Sequence, residues 1–81
     1  MVRVKIWGSL RPLADGQSEI ELEARTFKEV LDQLGARYPA LRPQIKRGVS
    51  MALNGRIYRE AWFTEIPPES EVVLMPYMAG G

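Results

Sequence analysis

The residues of this sequence best placed to do chemistry are its last two, Gly80 and Gly81. Glycine has no Cβ, so a diglycine end takes backbone angles other residues avoid and can pass through a channel too narrow for side chains. A terminal carboxylate, with a reference pKa of about 3.3–3.7, is ionised at neutral pH and is a poor electrophile. Another protein must activate it, and transfer to the phosphate of ATP would give an acyl adenylate open to attack by sulfur or an amine. A side-chain active site is harder to assemble here. The sequence has no cysteine and no histidine, which removes the usual thiol nucleophile and the commonest general base. Ser9, Ser18, Ser50, Ser70, Thr26 and Thr64 have no evident activating partner and read as surface or turn residues. At average glycine usage about one chain in two hundred ends on two glycines by chance, and chain ends are commonly loose. The elements that would present the tail therefore have to carry the reading.

With 81 residues the chain is one domain near the lower end of what builds its own core, and it has no residues for a disulfide or a zinc site. A 46% hydrophobic content and a net charge of +1 fit an ordinary globular domain and give no electrostatic case for nucleic-acid or membrane binding. Met1 to Ile6 lacks the apolar core of a signal peptide, and no run approaches a membrane span. The expected location is the cytoplasm, with which the lack of cysteine is compatible.

Val2, Val4 and Ile6 alternate with Arg3, Lys5 and Trp7, the period of a half-buried strand. Gly8 to Gly16, with Pro12 and Asp15-Gly16, has the composition of a connecting loop. Glu19, Glu21 and Glu23 then alternate with Ile20, Leu22 and Ala24 in a second strand. Paired as a hairpin, the two would set Arg3 and Lys5 against a row of glutamates, each pair worth at most about 1 kcal/mol. Three aligned carboxylates could hold a metal or a basic partner, but a solvated strand face explains them better. Thr26 and Glu29 form a capping box, followed by an apolar helical stripe of Phe27, Val30, Leu31, Leu34 and Tyr38. Gly35 weakens the last turns and Pro39 stops them. A linker through Leu41 and Pro43, with room for one helical turn, leads to a strand with Val49, Met51 and Leu53 on one face. Asn54-Gly55 is a two-residue hairpin signal, with Ile57-Tyr58 as the return strand. Residues 60 to 70 form an irregular crossing segment whose Trp62 and Phe63 are expected to pin it to the core. The last strand, Glu71 to Met75, is apolar on both faces, the mark of a central strand. Trp7 and Met75 then suggest an apolar patch on the outer face of the sheet.

The order strand, strand, helix, strand, short strand, final strand, free tail is similar to the β-grasp fold of ubiquitin. Over its full length the chain resembles the MoaD/ThiS sulfur carriers more closely. The resemblance is carried by Ser9-Leu10-Arg11 after the opening strand, the helix leading to Tyr38-Pro39, the Leu53-Asn54-Gly55 hairpin, and Val72-Val73-Leu74-Met75-Pro76 before Ala79-Gly80-Gly81. It implies an α+β fold, a mixed sheet packed on one main helix, with a β-grasp domain over residues 1–76 and a flexible Gly-Gly tail over 77–81. Within the family, the chain looks more like the small subunit of molybdopterin synthase than the thiamine carriers, which generally lack much of the helix and linker around residues 34 to 47.

The resemblance further implies that an E1-like adenylyltransferase of the MoeB or ThiF type adenylates the Gly81 carboxylate with ATP and Mg²⁺, the domain itself binding no cofactor and no metal. A sulfurtransferase then supplies sulfur for a thiocarboxylate. The tail next enters a large synthase subunit of the MoaE type, which contributes the catalytic side chains while precursor Z receives sulfur to build the molybdopterin dithiolene. By position, Trp7, Arg11, Met75, Pro76, Tyr77, Met78, Ala79 and Gly80 would contact partners. Two departures from the family pattern stand out: Pro68-Glu69-Ser70-Glu71 replaces the usual Asp-Gly turn, and Pro76-Tyr77-Met78 replaces the commoner Pro-Pro-Val. The second leaves other acceptors open, including thiazole, cysteine or tungsten-cofactor synthesis. A protein modifier joined to lysine, or a β-grasp interaction module that conjugates nothing, also fits the residues.

Overall fold

The computed structural model describes residues 1–59 and 62–76. Strands β1 (Val2–Ile6) and β2 (Glu19–Leu22) pair antiparallel with Val4 opposite Ile20, so that their aliphatic residues share one face. β3 (Val49–Leu53) and β4 (Arg56–Arg59) form the hairpin announced by Asn54-Gly55. Both turn residues have positive φ, 52° and 80°, the geometry of a type I′ turn. β5 (Glu71–Pro76) lies parallel to β1 and antiparallel to β3, giving the order β2-β1-β5-β3-β4. The final strand is therefore central, as its two apolar faces require.

Helix α1 (Phe27–Arg37) covers one face of this sheet and buries Phe27, Val30, Leu31, Leu34 and Gly35. At its start the Thr26 hydroxyl accepts from the Glu29 N–H at 3.3 Å, while the Glu29 carboxylate accepts from the Arg25 N–H, one residue beyond the usual partner. Gly35 does not end the helix. The Arg42 side chain lies across it, donating from Nε to the Gly35 carbonyl at 2.8 Å, with room for a Cβ in ordinary van der Waals contact. Tyr38 becomes the C-cap, only partly buried. A short 3₁₀ turn (Pro39–Leu41) and a second helix, α2 (Arg42–Arg47), fill the linker and bury Leu41.

Two expectations need correction, and a third is borne out with an addition. Gly8–Ala14 is a 3₁₀ helix, not a loop, with Asp15 closing it in the left-handed region at φ 54°. In such a helix residues three apart eclipse, and Leu10 and Leu13 are so related; Leu10 and Ala14 are buried. Trp62 and Phe63 do not pin the crossing segment: they are 38% and 78% exposed and line an open groove of about 330 Å³ with Lys28, Leu31, Asp32 and Ile45. The segment is held by Ile66, which enters the core, and by backbone bonds. The first N–H groups of α1, of Phe27 and Lys28, donate to the carbonyls of Thr64 and Trp62 at 3.2 and 2.8 Å, satisfying donors that a helix start leaves open. Lastly, Arg3 and Lys5 do face Glu21 and Glu19, but the ion pair Lys5 makes is with Glu71 on β5, Nζ to Oε1 at 3.6 Å.

The turn before β5 departs from Asp-Gly at a conformational cost. Glu69 sits at φ 61°, where a residue with a Cβ loses roughly 1–2 kcal/mol. Its carboxylate accepts from the Met1 ammonium at 2.9 Å. That bond raises the amine pKa and lowers the carboxyl pKa from their ordinary values. A lowered carboxyl pKa stabilises above its unfolded value and is lost as pH falls through the folded one; a raised amine pKa stabilises below its unfolded value and is lost as pH rises through the folded one. The stability advantage of the native chain over Glu69→Gln, measured by urea unfolding, should therefore be present near neutrality and vanish towards both extremes. An advantage that persists above the amine titration would disprove the pairing. The same assay should find Leu34→Ala costly, by about 2–5 kcal/mol for a fully buried leucine, and Phe63→Ser within about 0.5 kcal/mol. A large loss for Phe63→Ser would return that ring to the core.

Candidate functional site

The candidate site is the end of the sheet from which β5 runs into the tail. There the ladder closes with Ile6 beside Leu74 and Val49 opposite Pro76. Pro76 is thus the last residue of the strand, a position where its missing N–H costs the ladder least. Tyr77, Met78, Ala79, Gly80 and Gly81 lie outside the described residues.

Because strand side chains alternate, fixing Val72 and Leu74 in the core turns Val73 and Met75 to the outer face. Their neighbours follow from the register. Val73 is flanked by Lys5 and Ala52, and Ala52 by Ile57; Met75 is flanked by Ser50, and Ser50 by Arg59. Trp7 continues the outward parity of Lys5 and is 44% exposed, and its N–H donates to the Leu74 carbonyl at 2.9 Å, beside Met75. The structure therefore brings Trp7 and Met75 together on the outer face, while Pro76, opposite the buried Val49, falls on the inward face at the same end of the sheet. Ile57, 65% exposed, extends the apolar surface towards β4; its signal in the sequence is the alternation that puts it opposite Tyr58, which is drawn inward against Phe27 with ring centroids 5.3 Å apart.

Arg11 belongs to the same end. The 3₁₀ helix carries it back over β1, where its Nε donates to the Ile6 carbonyl at 3.2 Å. This uses one of five guanidinium donors, so its charge stands beside the tail's root. Ser50 is the buried polar residue of the outer face, a placement that sequence alternation does not reveal. Among the described residues no group of three or more His, Cys, Asp or Glu could hold a metal, and no helix is long and apolar enough to cross a membrane. The shifted titrations resolved are those of Met1 and Glu69, before the opposite end of β5. Among the described residues this end brings no nucleophile and base together; what it offers is the end of a central strand that leads to the diglycine in sequence.

Comparison with known proteins agrees with this architecture. A search of curated proteins by sequence found no match. Among solved structures, CysO of Mycobacterium tuberculosis superposes with a TM-score of 0.78 at 22% identity, over 96% of this chain and 100% of that one. Small archaeal modifier protein 1 of Methanosarcina acetivorans gives 0.78 at 26% identity, over 99% and 95%. A Pyrococcus furiosus protein described as a candidate molybdopterin converting factor, subunit 1, gives 0.72 at 25% identity, over 95% and 97%. The ThiS family model matches residues 4–81. With a five-stranded mixed sheet on one main helix, and a family match running through the last glycine, this chain belongs to the ThiS family of ubiquitin-like β-grasp sulfur carriers.

Proposed function

We propose that this chain is the sulfur-donating small subunit of a molybdopterin synthase. The observation that carries the reading is the sequence end Ala79-Gly80-Gly81, separated only by Tyr77-Met78 from the central strand of a ThiS-family fold. The likeness to the Pyrococcus furiosus protein supports molybdopterin synthesis as the destination of the sulfur. In the reaction, the Gly81 carboxylate oxygen attacks the α-phosphorus of ATP and pyrophosphate leaves; hydrosulfide, released from the sulfurtransferase by a thiol reductant, then attacks the acyl carbon and AMP leaves, giving a thiocarboxylate. An E1-like adenylyltransferase of the MoeB or ThiF type holds the ATP and Mg²⁺, a sulfurtransferase provides the sulfur, and the large MoaE-type subunit receives the loaded tail. The chain's own contribution is presentation: Trp7, Arg11, Met75 and Pro76 form the contact surface, and Tyr77, Met78, Ala79 and Gly80 lead the carboxylate into the partner. A second reading is favoured by the 26% identity to a small archaeal modifier protein: the same adenylate attacked by a lysine amine, ending as an isopeptide.

The intact mass after incubation with the host's E1-like enzyme, ATP, Mg²⁺ and a sulfide donor distinguishes these. An oxygen-to-sulfur exchange localised to Gly81, lost when Gly81 is deleted, is the expected result. Lysine-linked adducts in extract would support the modifier instead, and an unchanged mass while a control carrier reacts would defeat both. Trp7→Ser should weaken binding to the large subunit by about 2 kcal/mol, the size of an aromatic hot spot, while shifting the urea midpoint little, because the indole is half-exposed in the isolated chain. Equal losses of stability and affinity would make Trp7 a core residue.

A further inference from the structure

The net charge of +1 conceals a segregation. Between Asp32 and Glu60 the chain carries Arg37, Arg42, Lys46, Arg47, Arg56 and Arg59 and no acidic side chain; all ten carboxylates lie outside that interval. The fold converts this into a polarity along β5. At the tail end, Lys46 and Arg47 close α2 just before Val49, the partner of Pro76. Arg59 is one strand beyond Ser50, the partner of Met75, and Arg11 is bonded over the end of β1. At the opposite end, Glu69 and Glu71 stand at the start of β5, Glu21 pairs across from Arg3, and Glu65 bridges to the start of α1.

The groups that oppose this polarity are few. Arg3, Arg25 and Arg56 lie towards the acidic end, where Glu69 engages the Met1 ammonium. Asp15 and Glu19 lie near the tail end, but on the β2 side. Glu60 follows Arg59 and lies outside the described residues. Three of the cations have local partners: Arg37 and Arg42 donate to the carbonyls of Glu21 and Gly35, and Arg59 is also engaged. Lys46 and Arg47 are exposed. Their position at a helix C-terminus is worth about 0.3–1 kcal/mol each, which explains a cation at either site but not an acid-free interval that continues through β4.

We propose that Lys46 and Arg47, with Arg11, form a basic collar that docks the root of the tail against a carboxylate-rich rim on the E1-like adenylyltransferase that activates the tail. This rests on the carrier reading above and names the kind of surface its partner presents. A charge polarity aligned with the tail turns that end first towards a negative surface and raises the encounter rate. The acidic far end disfavours a long polyanion such as nucleic acid, which would run past both ends. The complementary surface is therefore a local one, on a protein.

The test is stopped-flow association of the chain with the host's E1-like adenylyltransferase over a range of ionic strengths. At low salt the double variant Lys46→Glu/Arg47→Glu should associate about tenfold more slowly than the native chain, at the low end of electrostatic steering. Dissociation should change less than about twofold, since rim charges act mainly on encounter, and the difference should shrink as salt rises. The charge-neutral pair Lys46→Gln/Arg47→Gln should fall between, and also serves if the reversal impairs folding. Glu21→Lys/Glu23→Lys at the far end should not slow association. A rate indifferent to salt, or equal slowing by the variants of both ends, would overturn the collar alone. The absence of any complex would overturn the carrier reading and the collar with it.

Discussion

Parallel pairing of the first strand with the last is the constraint on which the rest of this structure depends. Arg3 to Ile6 run beside Glu71 to Leu74, and a parallel pair cannot be closed by a hairpin. Everything between them must cross over the sheet and return. The pairing buries Val2, Val4, Ile6, Val72 and Leu74 almost completely, and that burial sets where α1 must lie. It also fixes the point of departure of the tail: the chain leaves from the middle of the sheet, with β1 on one side and β3 on the other, rather than from a fraying edge. A central strand needs cover on both faces. Here α1 supplies one, and the other keeps Trp7, Val73, Met75 and Ile57 wholly or partly accessible. The arrangement that anchors the tail thus leaves an apolar surface beside it.

The crossover is secured less by side chains than by backbone economy. Four N–H groups open at the start of any helix; at α1 one goes to the Thr26 hydroxyl and two to carbonyls of the returning segment. The segment in turn donates from Ile66 to the Arg25 carbonyl at 2.7 Å. Helix start and crossing chain each satisfy groups that the other would leave unpaired, at a cost to neither. This explains why an irregular segment can hold its place with one core residue, Ile66, while Trp62 and Phe63 remain outside.

These devices differ in how far the sequence shows them. Alternation exposed the strands because each half-buried strand repeats every two residues, and the Thr26/Glu29 box and Asn54-Gly55 declare a helix start and a turn through their own local hydrogen bonds and backbone angles. The 3₁₀ helix is hidden because Pro12 and Asp15-Gly16 give the composition of a loop, and a Leu10–Leu13 interval of three is too short to establish a period. Trp62 and Phe63 mislead for another reason: an aromatic looks the same in sequence whether it faces the core or the solvent, and here it is Ile66 that enters the core. The Trp7–Met75 neighbourhood was legible, since both residues break the outward polarity of their strands. The collar was not, because summing charge over the chain cancels what the fold separates.

Stability and delivery are consequently assigned to different atoms. The core is largely aliphatic and is built around β1, β5 and α1, and the reacting group of the proposed function is the backbone carboxylate of Gly81, which contributes no side chain to any core. Two carriers with the same fold and the same diglycine would be identical to a partner that probed only the tail. Discrimination must then come from the surface around its root, where an apolar contact supplies affinity and a mismatched charge excludes the wrong enzyme. On this chain that surface is Trp7, Met75 and Ile57 bordered by Arg11, Lys46, Arg47 and Arg59, residues that the core does not require. Proteins at 20–26% identity keep this one fold, so the fold does not depend on one particular set of surface side chains, and on the proposed reading a partner distinguishes this chain by those around the root of the tail.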